Sequence, residues 1–234
     1  MARITRKELK TDKFALEIEH TVTFFEEHRK AIVRYGAIVA AVVLVGFAVY
    51  FWRSQQHAAR EEALTQAIMV QEAPAGGQSA NYPISFPDQA AKDKEAIRQF
   101  SDIAAKYSGT TEGYVAEYYL GAIMADQGKT ADAEKRYKAV ADKAGKDYAS
   151  LANLSLAQIY FADGRASQGE QLLRSLIAHP TMFVSKDQAT LALASHLVRT
   201  NPAEARKLID PLRTSRSSAV SQVAIQIASD LQAK

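Results

Sequence analysis

An uncharged run of eighteen residues, Tyr35 to Trp52, constrains this chain more than any other feature of its sequence. The run reads YGAIVAAVVLVGFAVYFW, and Arg34 and Arg53 close it at either end. At about 1.5 Å per residue, a helix of this length spans roughly 27 Å, close to the hydrocarbon thickness of a bilayer. Tyrosine and tryptophan rings, which favour the headgroup level, stand at both ends. We therefore predict one transmembrane helix over residues 35–52.

The flanking residues predict a retained anchor and its orientation. Before the run stand 34 residues, and bulky Tyr50, Phe51 and Trp52 occupy the place where a signal peptide would carry its cleavage site. Eight lysines and arginines precede the run, whereas only Arg53 and Arg60 follow it closely. Segments rich in lysine and arginine next to a span usually remain in the cytoplasm. We therefore expect residues 1–34 in the cytoplasm and residues 53–234 on the other side of the membrane, which in a bacterium is the periplasm.

Composition excludes several classes of function. The chain has no cysteine, which excludes disulfides, thiolate metal sites, CxxC redox chemistry and a lipidated N-terminal cysteine. The net charge is only +3 and the basic residues are scattered, so the sequence has no basic patch of the kind that binds nucleic acid. The five histidines are dispersed, and no nucleotide-binding or hydrolase motif occurs. We expect no enzyme activity, cofactor, metal site or small-molecule substrate.

The chain on either side of the run predicts helices and one loop. Residues 12–30 place Phe14, Ile18, Val22 and Phe25 on one stripe, which predicts an amphipathic helix. Such a helix could lie on the membrane, dock onto a partner or merely extend the anchor. Residues 57–71 favour a second helix, and the prolines and glycines of PAGGQSANYPISFPD predict a loop at 74–90. From Ala91 onward we expect only helices, punctuated by glycine or proline.

Self-similarity at 36 residues is the strongest internal signal. The motif of Leu120-Gly121 recurs as Leu156-Ala157, and that of Gly128-Lys129 recurs as Gly164-Arg165. In each copy a small residue in the first helix and another at the start of the second allow two helices to approach closely. Helical hairpins repeated in this way stack into a solenoid, because no hairpin buries its apolar face alone.

The repeat resembles the tetratricopeptide repeat, departing from it at the early tryptophan position, where Glu117 and Asn153 stand. We therefore predict an all-α fold: one N-terminal transmembrane helix, then a tetratricopeptide-like solenoid over 53–234. Residues 217–234 predict a C-terminal capping helix, whose apolar stripe comprises Val220, Val223, Ile227 and Leu231.

The resemblance also predicts a protein-binding face on the concave side, formed by the first helix of each hairpin. Its residues are Tyr118, Ala122, Ala125, Leu154, Gln158, Phe161, Leu191, Ser195 and Val198. Because this set is mostly apolar, we expect an apolar or helical segment as the ligand. The alternative is that the capping helix simply covers these residues.

The layout of the whole chain resembles the YfgM-type ancillary subunits of the bacterial Sec translocon. The residues that carry the resemblance are FFEEHRK at 24–30, directly before the span, and YASLANLSLA at 148–157. The resemblance implies a single-pass inner-membrane protein whose partners are translocon subunits, periplasmic chaperones or emerging polypeptides. Two other hypotheses remain open: a general envelope scaffold or assembly factor, and a transmembrane signalling component.

Overall fold

The computed structural model describes the backbone of residues 6–77 and 82–232, and the side chains of residues 29–30, 33–77 and 82–232. No residue in these ranges belongs to a β-strand; Ala75 and Phe86 form only an isolated bridge. The helices of the described chain are α1 Arg6–Glu72, α2 Gln89–Lys106, α3 Thr111–Asp126, α4 Thr130–Lys143, α5 Lys146–Ala162, α6 Ala166–Ala178, α7 Lys186–Thr200, α8 Pro202–Ile209 and α9 Ser218–Asp230, with a 3₁₀ turn at Asp210–Leu212. The all-α prediction is confirmed.

The chain divides into two units, with the boundary between Ala58 and Ala59. In the first unit, the side chains from Val33 to Ala58 are all exposed. Within the part of the chain that the structure describes, one helix is long and apolar enough to cross a membrane, and it contains the predicted span. The segments predicted as separate helices at 12–30, 35–52 and 57–71 all belong to α1, because no glycine turn or proline separates them. The predicted stripe from Phe14 to Phe25 lies outside the described side chains.

The second unit is a row of helical hairpins. The first hairpin pairs the end of α1, from Ala59, with α2; the second pairs α3 with α4, the third α5 with α6, and the fourth α7 with α8. Core clusters join neighbouring hairpins: Val70 of α1, Phe100 of α2 and Leu120 of α3 share one such cluster. The next cluster joins Tyr137 of α4 to Leu156 of α5. The tetratricopeptide-like solenoid predicted from the repeat is therefore confirmed.

The turns repeat with the same geometry at the predicted 36-residue interval. Gly128 and Gly164 have φ angles of 73° and 74°, in the left-handed region that favours glycine. Around them, the Lys129 N–H donates to the Met124 carbonyl at 2.8 Å, and the Arg165 N–H donates to the Tyr160 carbonyl at 2.7 Å. This is the hydrogen-bonded glycine ending that stops a helix, and it occurs identically in the second and third hairpins.

Small residues allow close helix packing where the repeat predicts it. A Cβ at position 121 would lie 3.0 Å from Tyr137 Cε1, so the glycine there lets α4 approach α3. A Cβ at position 169 would lie 2.5 Å from Phe161 Cε1, so Gly169 does the same for α6 and α5. The small-residue positions therefore fix the spacing within two successive hairpins.

Helix α9 closes the carboxyl end of the solenoid by packing on the fourth hairpin. Ala224 and Ile227 are buried together with Val198 and Ile209. The predicted stripe is wrong at Val223, which is 46% exposed. The face that packs runs through Ala224 instead, because spacings of four, three and four residues keep side chains on one side of a helix. The small Ala224 side chain lets α9 lie close to α7.

Candidate protein-binding face

The predicted face draws three residues from each of α3, α5 and α7. The structure divides them by exposure. Gln158 and Ser195 are exposed; Tyr118, Ala122, Ala125, Leu154, Phe161 and Leu191 are half-buried; Val198 is buried. The accessible part of the face is therefore more polar than the sequence predicts.

Tyr118 lies between two hairpins. Its ring is 5.4 Å from the Tyr137 ring of the same hairpin, and its hydroxyl is 3.4 Å from Ser155 Oγ of α5. Burial raises the pKa of the neighbouring Tyr137 to about 12, since the phenolate would be desolvated there. Tyr118 consequently holds α3 against α5, and only part of its ring is available to a ligand.

Phe161 occupies the gap between the third and fourth hairpins. Its ring stacks on His196 of α7, with centroids 3.7 Å apart and planes inclined by 9°. On its other side it fills the space above Gly169 of α6. This aromatic pair, like the contact of Tyr118 with Ser155, joins the first helices of adjacent hairpins.

Leu191 and Val198 lie beneath the closing helix. Both belong to the cluster formed with Ala224 and Ile227 of α9, in which Leu191 is partly buried. Ser195 is exposed on the same helix, α7. Helix α9 thus covers residues of the fourth hairpin, and Leu231, directly after α9, packs against the cluster that also contains Leu154 and Phe161 of α5.

An ion pair that sequence reasoning missed ties the second hairpin to the third. Arg165 Nη1 and Nη2 donate to the two carboxylate oxygens of Glu134 at 3.0 and 2.6 Å, a bidentate contact. These hydrogen bonds, with a further one from Lys138, lower the pKa of Glu134 to about 2. Arg165 also lies over the Tyr160 ring at 4.3 Å. The sequence signal was weak, because Glu134 and Arg165 are 31 positions apart and share no motif.

A cleft of about 360 Å³ lies between α3 and α4. Met124 and Ala139 contribute apolar surface, and the Arg136 Nη1 to Glu117 Oε2 ion pair of 2.7 Å lies in its wall. The remaining lining residues are Asp132 and Lys135. Opposite charges balance in this cleft, so it favours neither an anionic nor a cationic ligand. Among the described side chains, no group of three histidines or carboxylates could hold a metal ion.

The hairpin row, the repeated glycine turns and the small-residue contacts together define the fold family. A model of the tetratricopeptide repeat-like domain family matches residues 23–208, more than half of the chain. The chain belongs to this family. Searches of curated proteins and of solved structures found no match. Tetratricopeptide repeat-like domains are typically protein-interaction scaffolds, which bind polypeptides through their extended surfaces.

Proposed function

We propose that this chain is a membrane-tethered protein-binding module that acts at the Sec translocon, where it meets periplasmic chaperones and emerging polypeptides. In this proposal residues 35–52 form the transmembrane helix, residues 1–34 remain in the cytoplasm, and residues 53–234 form the periplasmic domain. One observation carries the proposal: the family match begins at residue 23, ahead of the apolar run, and continues through it into the repeats. The apolar helix and most of the repeats therefore fall within one match to a single family.

Charge and resemblance support the orientation and the site of action. Eight basic residues before the span and two shortly after it favour a cytoplasmic N-terminus. The segment at 24–30 resembles the corresponding segment of the YfgM-type translocon subunits. Tethering keeps the binding face close to any chain that leaves the channel, so weak contacts suffice for capture.

The binding face of this proposal consists of Ala122, Leu154, Gln158 and Ser195, with the exposed edges of Tyr118 and Phe161. These side chains lie on three consecutive first helices, and α9 leaves them free of the cluster that holds Leu191 and Val198. Small and polar side chains beside aromatic edges suit a helical or extended segment better than a charged terminus.

The test is photo-crosslinking in the membrane, followed by mass spectrometry of the adducts. A photoreactive residue at Phe47 reports on the span, and others at Gln158 and Ser195 report on the face. Gln168 of α6 is an exposed control outside the face. We expect translocon subunits from Phe47, chaperones or emerging chains from Gln158 and Ser195, and neither from Gln168.

Other adducts would contradict the proposal in distinct ways. Cell-wall or outer-membrane assembly factors, without translocon peptides, would favour a general envelope scaffold. Cytosolic proteins that are pulled down with residues 1–34, and are lost when a periplasmic ligand is removed, would favour a signalling component. Equal yields at Gln158 and Gln168 would show that the face itself is not the binding surface.

A further inference from the structure

His196 of α7 lies at the junction of the third and fourth hairpins and has a buried ring nitrogen without a partner. Its side chain is only 17% exposed. Within the described part of the chain, His196 Nε2 is closed off from water and makes no hydrogen bond. A buried polar atom without a hydrogen bond is costly, and folded proteins keep few of them. The surroundings of this nitrogen show what it is placed to meet.

The stack of His196 on Phe161 suits a charged imidazole better than a neutral one. The ring centroids are 3.7 Å apart and the planes differ by 9°, so the two rings lie nearly face to face. Neutral aromatic rings prefer offset or edge-on arrangements, with centroids about 4.5–7 Å apart. A cation over the face of a phenylalanine ring is instead attracted by the negative charge of that face. Protonation of His196 would therefore make this contact more favourable.

A carboxylate lies close to the unpaired nitrogen. Glu170 Oε1 of α6 is 4.0 Å from His196 Nε2, just beyond hydrogen-bond distance. The other oxygen, Glu170 Oε2, lies 3.4 Å from Arg174 Nη2. The same Arg174 nitrogen makes a shorter contact of 2.7 Å with Glu204 Oε1 of α8. Because Glu204 holds Arg174 more closely than Glu170 does, the Glu170 carboxylate is free to turn toward His196.

The charged groups around His196 leave room for one more cation. They surround it directly or through one another and come from three helices: Glu170 and Arg174 of α6, Glu204 of α8, and Arg199 of α7 itself. Arg199 lies one turn further along α7 and is exposed, so water screens its charge. Helix α5 contributes the uncharged Phe161, and α9 packs on the opposite side of α7, through Ala194 and Val198. The two carboxylates therefore outnumber the one guanidinium that lies among them.

We propose that His196 is a pH-responsive contact between the third and fourth hairpins. On protonation, Nε2–H donates to the Glu170 carboxylate, which turns away from Arg174, and the charged ring lies on Phe161. Histidine is the side chain whose charge normally changes between about pH 5 and 8. The protonated ring has partners in the folded chain that it lacks in the unfolded chain. The added stability is therefore present at low pH and is lost as the pH rises.

Acid should accordingly hold part of the candidate binding face more firmly. Phe161 and Ser195, which adjoins His196, both belong to that face. The contact itself belongs to the fold, and it would act whether or not the face binds the ligand of the proposed function.

Hydrogen exchange of the full chain, followed on peptides of α6 and α7, tests the proposal. Protection factors, which correct for the direct effect of pH on exchange, should rise about fivefold between about pH 7.5 and pH 5.5, because a hydrogen bond between charged groups is stronger than a neutral one by about this factor. His196→Gln and Glu170→Gln should each lose this rise. His179→Gln is the matched control, since His179 is exposed just after α6, and it should keep the rise.

A second measurement needs no variant and covers the case in which His196→Gln fails to fold. The unaltered chain is labelled with carbon-13 in its histidine and glutamate side chains, and its NMR signals are followed over the same pH interval. We expect the imidazole signal of His196 and the carboxylate signal of Glu170 to change together.

Three results would overturn the proposal. Protection that does not rise in the unaltered chain would show that the junction does not respond to pH. An equal rise in Glu170→Gln and the unaltered chain would assign the response to other groups. A His196 signal that changes while the Glu170 signal stays constant would show that this carboxylate does not accept the hydrogen bond. None of these results bears on the proposed function, because no partner protein takes part in either measurement.

Discussion

The apolar run of α1 and the hairpin cores use similar side chains in opposite surroundings. Phe47 in the run is 68% exposed, whereas Phe100 in α2 is fully buried and stacks on Tyr119 with ring centroids 4.8 Å apart. The run is apolar on every side, so one neighbouring helix could cover only part of it. The hairpin helices carry apolar residues on one face, which the next helix covers. The hairpins therefore find their apolar environment within the protein, whereas the side chains of the run are exposed in the described structure.

The sharpest test of this difference is the same substitution in both regions. Phe100→Ala should lower the free energy of unfolding of the domain by about 3–5 kcal/mol, because it leaves a cavity among Val70, Ile103 and Leu120. Phe47→Ala should leave that free energy unchanged, since the Phe47 side chain is 68% exposed. Urea unfolding of the reconstituted chain, followed by circular dichroism, measures both. Equal losses of unfolding free energy in the two variants would contradict this difference between the regions.

A second pair compares glycines within helices of the two regions. A Cβ at position 113 would collide with the backbone carbonyl oxygen of Tyr107, which cannot move as a side chain can. Gly113→Ala should therefore cost about 2–3 kcal/mol in the same unfolding experiment. Gly46 in the run has no atom within 4 Å of its would-be Cβ. Gly46→Ala should leave domain stability unaltered, and a loss at position 46 would reveal a neighbour there.

The two regions should also differ in their response to pH. Glu134 has a pKa of about 2 in the folded chain because Arg165 and Lys138 donate hydrogen bonds to it, against an ordinary value of 4.5. A lowered carboxyl pKa stabilises the fold above the ordinary value, and this contribution disappears as the pH falls toward the folded value. The apolar run contains no carboxylate. Acid should therefore loosen the contact between the second and third hairpins and leave the run intact.

Glu134→Gln tests this pH dependence. At pH 7 it should cost about 1–2 kcal/mol, less than the full pKa shift implies, because water still reaches the pair. The difference from the unaltered chain should shrink below about pH 4 and vanish near pH 2. The control is Glu95→Gln: Arg98 also lowers the pKa of Glu95 to about 2, but both groups lie on one exposed face of α2. That change should cost only about 0.3 kcal/mol. A constant cost for Glu134→Gln at all pH values would refute the ion-pair explanation.

The smallest expected effect concerns the two faces of α9. Val223→Ser should change the stability by less than about 0.5 kcal/mol, because the side chain is half-exposed. Ile227→Ser should cost several times more, since Ile227 is buried against Val198 and Ile209. Thermal unfolding of the two variants compares them directly. A cost at Val223 as large as that at Ile227 would restore Val223 to the buried stripe that the sequence predicts.

The sequence predicts most of the fold because the repeat determines it locally. Gly128 and Gly164 mark the turns, Gly121 and Gly169 mark the close contacts, and all four lie where the 36-residue interval requires. The sequence predicts Val223 rather than Ala224 on the buried stripe of α9 because valine is the more hydrophobic of the two, whereas the structure buries Ala224. Burial there depends on how closely α9 can approach α7, which a single sequence does not encode.

The candidate face is harder to predict than the fold. Repeat alignment places Tyr118, Phe161 and Val198 on the same predicted face, yet two of them pack between hairpins and the third beneath α9. Contacts between hairpins depend on tertiary geometry.

The nearest-neighbour arrangement of the hairpins has a consequence for how the domain opens. Because each hairpin is covered only by those beside it, the row should fray from its ends rather than melt at once. The carboxyl end is the weaker one, since α8 has only eight residues and depends on α9 for cover. Amide exchange should therefore slow progressively from α9 toward α4. A polypeptide bound across α3, α5 and α7 would make the exchange rates of these hairpins more alike, because it would link several hairpins into one cooperative unit.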